Sequence, residues 1–286
     1  MEFYHICKDI NKVISGKEGD NYLIVEFTNE IDYETIEKRI SSIKEIYKES
    51  KIGLYFNCFE NESLYQKSSF YSPVNYRGIN YIPKNSYHPV CPNYPEVREN
   101  FYSFLEKAQI IRPDVIYFDN LGYPFDWIND PLDVKDPMPR YCYCPYCLVG
   151  FSSVVGKIIS NEEQMMDYME EWLEWRITTI SNLVSDIREY YGGKAIISLL
   201  PLFLIDIPFV TGQEIFGFLG KNFYLSTKFF IWDRKRIIGW YKNILEQINI
   251  EIPKEKFLFS VRITDIEKLW RMVPNIENYH GVVVFD

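Results

Sequence analysis

Three cysteines fall within six residues at Cys142-Tyr143-Cys144-Pro145-Tyr146-Cys147. Thiolates are soft, charged donors, and zinc takes four ligands at about 2.3 Å per sulfur when its role is structural. A Cys-x-Cys-x-x-Cys loop can wrap one ion. Cys91, far away in sequence, would add a fourth ligand and tie that loop to another segment. Cys91, Cys142, Cys144 and Cys147 are therefore the expected metal ligands, forming a closed site with zinc as a structural cofactor. The alternative is a set of small residues buried in a loop. Cys7 and Cys58 lie inside apolar runs and read as reduced, buried thiols.

Carboxylates at the ends of apolar runs are the other chemistry-bearing residues. Asp119 closes VIYF, an expensive place for a charge unless it serves a purpose. Glu26 sits inside YLIVEF, Asp286 closes GVVVF, and Glu60 follows GLYFNC. Asp119, Glu26 and Asp286 are the candidate catalytic groups, with Glu60 behind them. Against this, Asp119 can be a structural Asp bonded to the next loop, and Glu26 half of a buried ion pair, with Arg262 a candidate partner. Tyr117, Tyr123, Trp127, Tyr224 and Trp232 lie at or after run ends, where rings can stack on flat ligands. Each of them can equally be packing. Asn120, Lys228 and Arg262 are the candidate polar binding groups.

Eight apolar runs of strand length must position these residues: 2–7, 22–27, 53–58, 115–119, 195–200, 223–227, 257–262 and 281–286. Their near-continuous hydrophobicity marks strands buried on both faces. Helical periodicity separates them at 33–49, 97–108, 163–190, 236–248 and 266–272, with Ile36, Ile40, Ile43 and Ile46 forming one apolar stripe. Eight strands alternating with helices in 286 residues predict an α/β fold, a single (β/α)8 TIM barrel over 1–286. No Gly-x-Gly-x-x-Gly follows the first run, which weakens the case for an open doubly wound sheet. Long irregular stretches at 59–93 and 121–139 should gather at the carboxyl-end face, where barrel sites sit. The chain stops at the end of the eighth run, so the last helix is expected to be missing. A homodimer is expected to cover the apolar flank left there.

Hydrophobic residues make up 47% of the chain, enough for a sizeable core, and aromatic residues 17%. That aromatic density suits a sugar-stacking pocket or simply a ring-rich core. A net charge of −9 argues against nucleic acid as a partner. No run approaches the length of a membrane span and no signal-peptide core opens the chain, so it reads as soluble and cytoplasmic.

The segment from His88 through Cys91-Pro92-Asn93-Tyr94-Pro95 to Arg98 carries a resemblance, as do Tyr117-Phe118-Asp119-Asn120, the cysteine loop and Phe151. Together they resemble the zinc-carrying barrel of thermophilic β-galactosidases and related glycoside-hydrolase-like barrels. Trp172-x-x-Trp175-Arg176 and Gly212-Gln213-Glu214 are similar to the latter. The resemblance implies that the four cysteines hold a structural zinc and that the ligand is a carbohydrate. In those β-galactosidases an Asp-Asn-Glu motif on strand four supplies the acid/base, where this chain has Asp119-Asn120-Leu121. Their nucleophile is a Glu ending strand seven, where this chain has Ser260-Val261-Arg262. The expected function is thus a glycoside hydrolase-like enzyme using other strand-end carboxylates. The alternative is a carbohydrate-binding or structural barrel that has lost the pair.

Overall fold

The computed structural model describes residues 1–7, 21–27, 33–83, 87–125, 141–228 and 236–285. Its strands are β1 (Glu2–Cys7), β2 (Asn21–Glu26), β3 (Lys51–Asn57), β4 (Val115–Asp119), β5 (Ala195–Leu199), β6 (Phe223–Lys228), β7 (Phe257–Arg262) and β8 (Gly281–Phe285). Each pairs in parallel with its neighbour in chain order, and β8 returns to β1, closing an eight-stranded barrel. The expected (β/α)8 architecture is present. At the closure Glu2 lies opposite Gly281, where a Cβ would stand 2.3 Å from the Glu2 carbonyl oxygen.

Both faces of the strands are apolar, which is why the runs read as continuous. Tyr4, Ile6, Ile24, Val115, Tyr117, Ile196, Leu258 and Val283 fill the barrel interior. The outward residues, such as Phe56, Phe118, Ile197 and Val282, join the helices in a larger outer core. That layer includes α1 (Tyr33–Ile46), α2 (Glu62–Lys67), α3 (Pro95–Ile111), α4 (Pro145–Val155), α5 (Glu162–Met166) and α6 (Met169–Tyr190). It continues with α7 (Asp206–Thr211), α8 (Ile215–Phe218), α9 (Arg236–Glu251) and α10 (Ile266–Met272). The helix expected over 163–190 is two helices, α5 and α6. Ile36 and Ile43 of α1 are buried, but Ile46 is exposed because the helix ends there. The sequence reading did not anticipate α4, which starts on Pro145 and stops at Gly156 in a left-handed conformation.

The outward Val282 and Val284 of β8 are buried with Leu269 of α10 and Ile276, and Trp270 packs edge-on against Phe3 of β1. Among the described residues, the outward valines of β8 are thus covered from within the chain.

The amino-terminal mouth of the barrel is plugged. The Glu2 carboxylate accepts from Tyr4 and pairs with Lys194 and with His280, the last at 2.9 Å. Lys194 Nζ lies about 5 Å from the rings of Tyr4, Tyr22 and Tyr224. Tyr224, a candidate stacking ring, belongs to this plug and not to the strand-end face.

Candidate functional site

Strand alternation decides which side chains enter the carboxyl-end mouth. Residues two apart share a face. Tyr22 and Ile24 point inward, so Glu26 does too; Val115 and Tyr117 place Asp119 inward, and Tyr224 and Ser226 do the same for Lys228. A cavity of about 490 Å³ opens over these strand ends, lined in part by Glu26, Tyr55, Asn57, Glu60, His88, Asp119 and Lys228.

Asp119 is 2% exposed, and an unpaired charge there would be costly. It is not unpaired. Lys228 Nζ lies 2.5 Å and the Tyr55 hydroxyl 2.6 Å from Oδ2, while the Asn120 backbone N–H donates to Oδ1 at 3.0 Å. Burial opposes its ionisation, but the Lys228 ammonium and the hydrogen bonds outweigh burial and hold its pKa below the ordinary carboxylate value. Burial and the adjacent Asp119 push the Tyr55 phenol far up, so it stays neutral and donates.

Asn120 follows with φ 50, a left-handed turn that asparagine tolerates better than most residues. The turn sends its amide across the mouth, where Nδ2 donates to Asn57 Oδ1 at 2.8 Å and to Glu60 Oε2 at 3.1 Å. Asn57 Nδ2 donates to the same Glu60 oxygen at 2.7 Å. Burial raises the Glu60 pKa and the Asp119 charge adds to the rise, against the lowering effect of Asn57 and Lys228. Asn120 therefore touches two carboxyl groups whose ionisations are displaced in opposite directions.

A smaller cleft of about 30 Å³ adjoins the cavity, with Asp119, Asn120, Gly122, Tyr123 and Lys228 in its wall. A Cβ on Gly122 would lie 2.9 Å from the Thr211 carbonyl oxygen, so this position admits close backbone packing. Gln213 is buried and donates to the carbonyls of Leu121 and Ser198, both at 3.0 Å, holding the same loop.

Of the residues expected here, Asp119, Glu26, Asn120, Tyr123 and Lys228 line these two spaces. Tyr117 lies deeper, fully buried, with its hydroxyl 3.0 Å from Ser260 Oγ and its ring stacked on Tyr55. Arg262 is exposed and lines neither space. Trp127, Trp232, Asp286 and the Cys7 side chain lie outside the described residues. Tyr55, Asn57 and His88 were missed. The i, i+2 register from Gly53 was the signal for the first two.

Cys91, Cys142, Cys144 and Cys147 are all buried, and their sulfurs lie within 4.8 Å of one another. The separations Cys91–Cys147, Cys144–Cys147 and Cys144–Cys91 are 3.4, 3.5 and 3.6 Å. A disulfide needs about 2.05 Å, whereas a tetrahedron of 2.3 Å metal–sulfur bonds has edges of about 3.8 Å. The residues present fit a four-coordinate thiophilic ion. The Val74 N–H points at Cys142 Sγ (3.3 Å), the Asn93 N–H at Cys91 Sγ (3.5 Å) and Asn93 Nδ2 at Cys147 Sγ (3.2 Å). These donors offset the charge of clustered thiolates. Trp172 stacks on Tyr143 and Trp175, and Arg176 donates to the Tyr141 carbonyl, so α6 braces the cysteine loop from outside.

No protein-family model matches the sequence, and comparison with curated proteins gives no match. Solved structures do share the fold. The glycoside hydrolase domain of PgaB (BpsB) from Bordetella bronchiseptica superposes with a TM-score of 0.57 at 8% identity, over 92% of this chain and 83% of that one. The β-galactosidase from Rahnella sp. R3 gives 0.58 at 10%, over 92% of this chain and 45% of that one. The glycoside hydrolase domain of PelA from Pseudomonas aeruginosa gives 0.50 at 10%, over 99% and 94%. This chain spans less than half the length of the Rahnella β-galactosidase. The likeness is one of fold alone: the chain closes the same kind of (β/α)8 barrel as these proteins.

Proposed function

We propose that this barrel is a glycoside hydrolase acting on an oligosaccharide or glycoside at the carboxyl-end cavity. The observation that carries the reading is the Asn120 bridge between Glu60, with its raised pKa, and Asp119, with its lowered one. Glycosidic cleavage needs a proton for the leaving oxygen and negative charge near the developing oxocarbenium ion. Glu60 is suited to hold that proton, since burial favours its neutral form. Asp119 supplies fixed negative charge, with Tyr55 and Lys228 keeping it in place. Glu26 and Asp286 are the further carboxylates proposed to act here, Glu26 from the cavity wall and Asp286 as the residue after β8. Asn120, Tyr123 and Lys228 are proposed to bind sugar, with Trp127 as a further candidate; Tyr117 lies beneath the cavity and Arg262 outside it.

Zinc is the proposed occupant of the four cysteines, because four thiolates in a closed, buried set suit a structural ion. It holds the two loops together and takes no part in the reaction. The free cysteines of the described chain accord with a reducing, cytoplasmic setting. No helix among the described residues is long and apolar enough to cross a membrane.

A panel of nitrophenyl glycosides and natural oligosaccharides, run with the wild type and with Glu60→Gln, tests the reading. Turnover of at least one substrate that falls by at least ~100-fold in the variant is the expected result. Saturable binding without turnover across the panel would instead establish the non-catalytic barrel.

A further inference from the structure

One side chain, Asn93, joins the four-cysteine centre to the cleft wall. Asn93 Nδ2 carries two protons and has two acceptors, Cys147 Sγ at 3.2 Å and the Tyr123 hydroxyl at 2.9 Å. The orientation of the amide is set from its other end. Arg98 Nη2 lies 3.1 Å from Oδ1, and Arg98 Nε donates to the Pro92 carbonyl at 3.0 Å. A guanidinium only donates, so the oxygen must face Arg98 and the NH2 must face the sulfur and the phenol. Tyr123 is buried against the Arg176 guanidinium, 4.2 Å from its ring, and its backbone N–H donates to the Thr211 carbonyl at 2.8 Å. Asn120, Gly122 and Tyr123 then form one wall of the cleft beside Asp119.

We propose that Asn93 is a positioning residue that couples the four-cysteine centre to the strand-four loop through Tyr123. A filled centre fixes the Cys147 thiolate, the thiolate and Arg98 fix the amide, and the amide fixes the Tyr123 ring and the loop behind it. The proposal rests on the glycosidase reading only for what the cleft is used for. The coupling is a property of the folded, metal-loaded protein and is read without any substrate.

The test uses the Co(II)-substituted protein, amide hydrogen exchange and two variants. Asn93→Leu keeps the bulk and removes both donors; Tyr123→Phe keeps the ring and removes the acceptor. Losing an N–H···S bond raises the energy of the sulfur electrons, so Asn93→Leu should move the sulfur-to-Co(II) charge-transfer absorption to longer wavelength. Tyr123→Phe should leave that absorption in place. Both variants should speed exchange of the Tyr123 amide by at least about tenfold while peptides of β5 and β7 keep their protection. Chelator-treated wild type should show the same local loss, which covers the case of an Asn93→Leu protein that fails to hold Co(II). An unmoved charge-transfer band in Asn93→Leu would overturn the proposal. So would a Tyr123 amide that exchanges at the wild-type rate in both variants, or a loss of protection spread evenly over the barrel. A blank glycoside panel leaves all of these readouts untouched, so the two failures are distinguishable.

Discussion

Lys228 Nζ stands 2.5 Å from Asp119 Oδ2, an ion pair that spans the barrel mouth from β6 to β4 with the carboxylate 2% exposed. The pair explains how a charge survives at the end of an apolar strand. An anion held by an ammonium and a phenol has little capacity to carry a proton, so under the proposed function the proton would come from another group.

Asp119→Asn should lower turnover by at least ~100-fold if the anion stabilises the transition state. It should also destabilise the protein by about 1–3 kcal/mol through weakened buried hydrogen bonds. The folded pKa lies below the unfolded one. Its stabilisation is therefore present above about pH 4 and lost as pH falls through the folded value. Melting curves of wild type and variant should differ most near neutrality and converge in acid. A constant gap down to the lowest pH would contradict the pairing.

Glu60 behaves in the opposite sense. Its folded pKa is raised, so the stability linked to its protonation is present below the unfolded value and lost as pH rises through the folded one. Glu60→Gln should consequently melt higher relative to wild type above that window than below it. If Glu60 is the acid, the wild-type rate should decline as pH rises through the same window, and the variant should lack that limb. A pH–rate profile on any substrate found by the panel checks this.

Protein purified without added metal should contain about one zinc per chain. Cys144→Ser should lose most of it and melt lower, since binding energy of a structural ion is folding energy. Elemental analysis showing less than about 0.2 equivalents, with the variant as stable as wild type, would sink the assignment.

Arg176 is fully buried and donates through Nη1 to the Tyr141 carbonyl at 2.6 Å and through Nη2 to the Val210 carbonyl at 2.8 Å. Arg176→Met leaves both acceptors orphaned and should cost about 2–4 kcal/mol. Arg176→Lys should not restore it, because a single ammonium cannot reproduce the two-armed fork. Urea unfolding of the two variants decides; full rescue by lysine would show that charge alone matters.

The barrel was legible in the sequence because strands buried on both faces must be apolar throughout, and that demand is local. Val115–Asp119 and Phe257–Arg262 begin and end where their runs do. The three clustered cysteines were legible for the same reason: one loop holds them. Asp119 was visible as a charge at the end of an apolar run. What it meets there was not, since Lys228, Tyr55 and Asn120 reach it from β6, β3 and the following turn, and no local pattern reports which strand ends face each other across a closed barrel. Glu60 was visible only as a residue past a strand. Its burial, its contact with Asn120 and its raised pKa exist only once β3 and β4 lie side by side. The cover over β8 was likewise a tertiary matter. Residue order shows that Val282 and Val284 are apolar; only the path of the chain through α10 and the turn after it decides that they are buried.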